Sequence, residues 1–182
     1  MDVQIENAVS ALNAGGVIAY PTEYCFGLGC DPRNIDAIER LLKVKQRRKD
    51  QGVILVASNT AQVADYADLA GLSLIDEIIK SWPGPNTWLL PVKKTVSSWV
   101  CGNHSSVAMR VSAHATCQSL CAEFGHAIVS TSANRHGQNA LLTAKDVIDE
   151  FKGELDFIID APVGGALNAS TIRDAITGEQ LR

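Results

Sequence analysis

Five cations, Lys43, Lys45, Arg47, Arg48 and Lys49, fall within seven positions of a chain that is acidic overall, with 16 Lys and Arg against 20 Asp and Glu. A lysine beside an arginine combines a compact point charge with a planar bidentate donor, the pair a polyphosphate needs. The run equally suits a plain helix C-terminus, where cations offset the carbonyl end of the helix dipole. Two other stretches could complete an anion site. "STSANRHG", residues 130 to 137, holds Ser130, Thr131, Ser132 and Asn134. Such short polar side chains either form turns or line a phosphate or carboxylate pocket at a strand end. "YPTEYCFGLG", residues 20 to 29, has glycines that let a backbone approach a ligand closely. No Walker A pattern occurs, and Gly27-Leu28-Gly29 lacks the rest of a dinucleotide fingerprint, so a nucleotide would need a different design. The four histidines, 104, 114, 126 and 136, show no nucleophile–base arrangement and read as surface or structural residues.

The elements that must carry these stretches follow from periodicity. Ile5, Ala8, Val9 and Leu12 recur at helical spacing before Gly15-Gly16, and "VIAY" (17–20) reads as a buried strand. The segment 21–32, with a proline at each end, is expected to break regular structure. Ile35, Ile38, Leu41, Leu42 and Val44 predict a second amphipathic helix, and "VILVAS" (53–58) a strand. Lys45 and Arg47 are therefore expected where that helix gives way to a loop. "LSLIDEIIKSW" and "TCQSLCAEFG" suggest helices; "TWLLPV", "SSVAMRV" and "HAIVSTSAN" suggest strands. Thr143 with Asp146 resembles a helix N-cap before "VIDEF". "LDFIID", "STIRDAI" and "EQLR" supply short strands near the end. Helices and strands mix without a strict βαβ rhythm, repeat or linker, which predicts one α/β domain over residues 1–182.

Composition sets limits on function. Hydrophobic residues make up 46% and charged residues 20% of 182, as in an ordinary globular chain. A net charge of −4 argues against a whole-surface nucleic-acid binder but leaves room for a local basic groove. No apolar run has the length of a membrane span, and residues 1–16, with Asp2 and Glu6, lack the basic start of a signal peptide. Both favour the cytoplasm and no membrane partner. Cys25, Cys30, Cys101, Cys117 and Cys121 are an odd count without framework or metal-site spacing, which predicts reduced thiols and no metal held by them.

Taken together, "VIAYPTEYCFGLGCDP", "LLKVKQR", "SWPGPNTWLLP", "VAMRVSAH", "IVSTSANRHG" and "STIRDAITGEQLR" resemble the YrdC-type threonylcarbamoyl-AMP synthases, in order and from about Gly16 to Arg182. The resemblance is to the short bacterial form, which lacks the extra C-terminal domain of longer relatives. It implies a twisted mixed sheet with flanking helices and a concave basic cleft. It implies synthesis of L-threonylcarbamoyl-AMP from L-threonine, bicarbonate and ATP with release of pyrophosphate, for t6A modification at position 37 of ANN-decoding tRNAs. The family's paired K-x-R and S-x-N motifs fall here on Lys45, Arg47, Ser132 and Asn134, implied to be catalytic. Thr22, Arg110, Ser130, Ser170 and Arg182 would line the threonine and ATP pocket. Partners implied are the t6A-transfer proteins downstream, with tRNA or double-stranded RNA as further ligands. The chain departs from common family residues at Arg48, His136, Tyr24 and Val56, the last two at positions the resemblance places in the threonine pocket.

The implied reaction explains the residue types. Threonine and bicarbonate give a carbamate, already an anionic nucleophile, so no strong general base is required. The difficulty is to bring an anion to the α-phosphate of polyanionic ATP, which calls for charge neutralisation and alignment. Lys45 and Arg47, with Mg²⁺, would neutralise the phosphates; Ser132 and Asn134 would orient them; Arg110 would meet the substrate carboxylate. Two alternatives stand beside this: an RNA-binding or ribosome-maturation module using the same groove, and a carbamoyl-adenylate enzyme of the hydrogenase-maturation type. The latter carries zinc-finger-like Cys clusters that this chain lacks.

Overall fold

The computed structural model describes residues 2–135 and 137–182. One eight-stranded mixed sheet has the order β7-β1-β2-β6-β3-β5-β4-β8. In chain order the strands are β1 Ile18–Pro21, β2 Phe26–Gly29, β3 Ile54–Ala57, β4 Asn86–Pro91, β5 Ser106–Val111, β6 Ile128–Ser132, β7 Phe157–Ile158 and β8 Thr171–Asp174. The pairs β1–β7, β3–β5 and β4–β8 are parallel; the other four neighbours are antiparallel.

Among the described residues, seven α-helices flank the sheet: α1 Val3–Asn13, α2 Ile35–Lys45, α3 Thr60–Ala64, α4 Ile75–Lys80, α5 Ser98–Cys101, α6 Ala115–Phe124 and α7 Ala144–Phe151. Their ends follow local chemistry. Asp2, Asn34 and Thr143 each accept a backbone N–H of the first turn of α1, α2 and α7. Gly125 ends α6 in a left-handed conformation. Strand β1 is buried on both faces, which is why it reads as a continuous apolar run. Val17 and Ala19 join the cluster that holds Ile38 and Leu41 of α2 and Phe151 of α7. Ile18 and Tyr20 join the opposite cluster, with Leu12 of α1 and Leu120 of α6.

The periodic helices and strands fall where expected, with three differences. Segment 21–32 is not wholly irregular, since β2 occupies Phe26–Gly29 within it and all four residues are buried. Two glycines in four residues look like a turn, but they answer a crowding across the sheet. A Cβ on Gly29 would lie 2.5 Å from the Val129 carbonyl oxygen and 2.8 Å from Tyr20 Cε1. "EQLR" forms no strand and makes a single bridge, Gln180 to Arg173. Helices α3 and α5, at five and four residues, are too short to leave a periodic signal.

This crowding gives a test. Gly29→Ala forces backbone or Tyr20 to move and should destabilise the fold by about 1–3 kcal/mol in urea unfolding. An unchanged midpoint would mean that the sheet gives way freely at this point.

Candidate active site

Residues of β2, β3, β4, β5, β6 and β8, with the loops beside them, line a cleft of about 570 Å³. Arg47, Ser130, Ser132, Asn134, Thr22, Arg110, Ser170 and Arg182 all line it, although they come from distant parts of the chain. Charged lining residues include Arg47, Arg110 and Arg182 against Glu23. Lys45 is not on the wall; it stands behind Asn134.

The end of α2 explains this placement. Gln46 takes the left-handed conformation with φ 53°, and its N–H returns to the Lys43 carbonyl. Lys45 is thus the last helical residue rather than a loop residue, and only Arg47 is released into the loop. Lys45 is only 6% exposed. Its ammonium donates to the Asn134 carbonyl at 2.8 Å and, in a very short contact, to Asn134 Oδ1. Ser132, the last residue of β6, donates from Oγ to the same Oδ1 at 2.8 Å. Asn134 Nδ2 donates to the Gln138 carbonyl at 2.6 Å. Asn134 Oδ1 thus holds both Lys45 and Ser132, while Nδ2 holds Gln138. Burial pushes the Lys45 pKa down to about 8, with the nearby Arg47 charge adding to the effect.

Arg47 donates from Nε and Nη2 to the Gly52 carbonyl at 3.2 and 2.8 Å. Burial holds its pKa below the usual arginine value. The other cations of the run serve elsewhere. Lys43 pairs with Glu39, Arg48 with Asp50, and the Lys49 ammonium sits 4.0 Å from the Trp99 ring centroid. Both readings of the run thus apply, to different residues: Lys43, Arg48 and Lys49 behave as surface cations, whereas Lys45 and Arg47 turn to the site.

At the other side of the cleft, Arg110 at the end of β5 pairs with Glu23, Nη1 to Oε2 at 2.6 Å. Glu23 Oε1 also accepts from Ser112 Oγ at 2.7 Å and from the Ala113 N–H at 2.9 Å. Although burial opposes ionisation of Glu23, the Arg110 guanidinium and these hydrogen bonds outweigh it, and its pKa is lowered. Glu23 escaped the sequence reading, because its neighbours in "PTE" give no periodicity and its partners lie far along the chain. Arg110 is accordingly not a free cation, since one of its nitrogens is committed to Glu23.

Thr22 lines the cleft with its hydroxyl already donated to the Cys25 carbonyl at 2.7 Å. Ser130 lies on the floor in β6 opposite Ile54. Ser170 Oγ lies 2.8 Å from Thr87 Oγ1, and Arg182 grips the Ser170 carbonyl from Nε and Nη2 at 3.1 and 3.0 Å. Tyr24 is on the wall. Val56 is not: it is fully buried against the α1–α6 side of the sheet. His136 lies outside the described residues.

The five cysteines are free, and burial raises the thiols of Cys25 and Cys117 to about 11 and 12. Among the described residues no cluster of three or more His, Cys, Asp or Glu could hold a metal. Glu23 is the one side-chain carboxylate among the described lining residues, and both its oxygens are engaged. Mg²⁺ is usually bound through one or two carboxylates together with substrate phosphates. The side chains present therefore do not fit a protein-held Mg²⁺. No helix among the described residues is long and apolar enough to cross a membrane.

The structure thus defines an α/β protein with a mixed sheet and a cleft lined by three arginines, Arg47, Arg110 and Arg182. Residues 10–182 match the Sua5–YciO–YrdC family, described as "Telomere recombination", and the chain belongs to that family. It is 42% identical over 180 residues to a threonylcarbamoyl-AMP synthase of Pseudoalteromonas translucida, covering 98% of this chain and 96% of that one. Among solved structures, a doubly substituted P. abyssi Sua5 superposes with a TM-score of 0.92 at 28% identity, over 98% of this chain and 55% of that one. P. abyssi Sua5 complexed with L-threonine gives 0.87 at 28% identity, over 93% and 50%. The chain thus spans about half the length of Sua5 but nearly all of the shorter relative.

The buried ammonium yields a pH prediction. The folded pKa of Lys45, about 8, lies below the unfolded value of about 10.4. Between these values the unfolded chain holds more protons, so stability rises with pH. Lys45→Met lacks this contribution. From pH 8 to 10 the stability difference should shift in favour of wild type, by at most roughly 3 kcal/mol. Urea unfolding of both proteins at each pH measures it, and a difference that does not change with pH would place the ammonium in water.

Proposed function

We propose that the chain is an L-threonylcarbamoyladenylate synthase, a nucleotidyltransferase that makes threonylcarbamoyl-AMP from L-threonine, bicarbonate and ATP and releases pyrophosphate. The observation that carries this reading is the meeting in one cleft of Arg47, Ser132 and the Lys45–Asn134 pair with Arg110, Ser170 and Arg182. The names of the relatives and the threonine complex of Sua5 support the same reaction, and favour an enzyme over an RNA-binding module.

The threonine amine would attack bicarbonate, whose C–OH bond breaks to release water with a proton from the amine, and an oxygen of the resulting carbamate attacks the α-phosphorus of ATP. The new P–O bond forms as the bond to pyrophosphate breaks, and the leaving pyrophosphate takes the electron pair. The protein's work is to hold two anions in line and to offset the charge gathering on the phosphates. Arg47 would exchange its Gly52 carbonyl contact for phosphate oxygens. Lys45 would supply an ammonium short of solvation, and Ser132 a hydroxyl. Arg110, fixed by Glu23, would use its remaining N–H groups on the threonine carboxylate. Mg²⁺ would enter with the triphosphate as part of the substrate. We place the reaction in the cytoplasm, upstream of transfer to position 37 of tRNA.

The test is pyrophosphate release with ATP, bicarbonate and each amino acid in turn, the adenylate being identified by mass spectrometry. L-Threonine should be preferred over serine about fivefold in kcat/KM, from a methyl worth about 1 kcal/mol when buried. Lys45→Ala and Arg47→Ala should each lower turnover roughly a hundredfold. Ser132→Ala should be milder, because a neutral hydrogen bond is the weaker one. Wild-type turnover in folded Lys45→Ala and Arg47→Ala proteins would sink this mechanism.

A further inference from the structure

The two halves of the proposed phosphate site, the end of α2 and the turn after β6, are joined twice. One tie is the Lys45 ammonium on Asn134. The other runs between the adjoining residues: Arg135 Nη1 donates to the Val44 carbonyl at 2.8 Å. That carbonyl belongs to the last turn of α2, whose acceptors have no partner within the helix. Val44-Lys45 and Asn134-Arg135 therefore face each other as two dipeptides linked by parallel rungs, one at the cleft and one behind it.

The rear rung is itself held firmly. Arg135 Nε donates to Glu150 Oε1 at 3.1 Å, Nη2 to the Glu150 carbonyl at 3.4 Å, and Nη1 to Glu154 Oε2 at 3.3 Å. Nη2 also meets Glu154 Oε1 in a very short contact, and the guanidinium lies 4.8 Å from the Phe151 ring centroid. Glu154 is tied back to α2, since its carbonyl accepts from Arg40 Nη2 at 2.9 Å. The Arg135 side chain is only 20% exposed. A planar fork engaged on all its edges has one orientation, so it fixes the distance between the chains on either side.

We propose that Arg135, clamped by Glu150 and Glu154, is a positioning residue that sets the Lys45–Asn134 contact and thereby the placement of the ammonium toward the triphosphate. The proposal rests on the synthase reading above. Arg135 touches no substrate in it and acts only through Lys45. Loss of the rear rung lets the turn swing about β6, and the ammonium loses its fixed acceptor pair.

A double-mutant cycle on pyrophosphate release, with melting temperatures, decides the matter. Arg135→Gln should lower kcat about tenfold while leaving KM for threonine unchanged, and the same change made on Lys45→Ala should cost less than about twofold. A single mutant as active as wild type, or losses that multiply in the double mutant, would overturn the proposal. Should Arg135→Gln fail to fold, Glu154→Gln loosens the clamp from the solvent side. It should cost about threefold in the wild-type background and nothing beyond the Lys45→Ala loss. Equal losses in both backgrounds would overturn the proposal just as well. A wild-type protein that released no pyrophosphate would bring down the synthase reading and this inference with it. With an active wild type, the cycle bears on Arg135 alone.

Discussion

A charged ammonium placed almost out of reach of water is the constraint around which this site is arranged. Lys45 stands at the carbonyl end of α2, where a cation is favoured, yet its surroundings remove most of its solvation. The compensation is local: the carbonyl and side-chain oxygens of one residue, Asn134, accept from it. That demand fixes the turn after β6, draws Ser132 to the same oxygen, and sets the end of α2 against the end of β6. An ammonium solvated by only two protein oxygens still has capacity for an anion, and in a poorly screened setting the attraction is stronger than on the surface.

The Glu23–Arg110 pair answers the same problem differently. Removing either partner would leave a buried charge alone, so the two are retained together. Glu23 also accepts from the Ser112 hydroxyl and the Ala113 N–H, so that three donors from one segment, residues 110–113, share one carboxylate. Around the cleft, Lys45, Arg47 and Arg182 are thus offset by neutral oxygens, and Arg110 by a full negative charge. Cations offset only by neutral oxygens keep more of their field available to an anionic ligand.

Much of this was legible in the sequence. The amphipathic period of α2, the buried apolar β1, the N-cap at Thr143 and the order of the family motifs all read directly. The neighbours that neutralise Lys43 and Arg48 are also nearby in sequence, Glu39 and Asp50. What could not be read depends on distant partners. Gly27 and Gly29 look like a turn unless Tyr20 and Val129 are known to press on that strand. Glu23 is an unremarkable acid until β5 arrives beside it. Arg135 is an isolated cation in a polar stretch, and its role in the fold appears only when Val44, Glu150 and Glu154 surround it.

The last thirty residues of the sequence finish both margins of the sheet. Strand β7 pairs with β1 at one edge and β8 with β4 at the other, and residues 159–170 run between them, donating from Gly164 to the Thr22 carbonyl and from Ala166 to the Glu23 carbonyl. A chain emerging from the ribosome therefore carries two open strand edges, β1 and β4, until β7 and β8 have been made. Each is a template for pairing with another nascent chain until its proper neighbour appears. The crossing segment closes both hazards almost together, and the same stroke lays the wall of the cleft. Completion of the sheet and assembly of the binding site are thus one late event, so a chain truncated before β8 is both sticky and without a finished site.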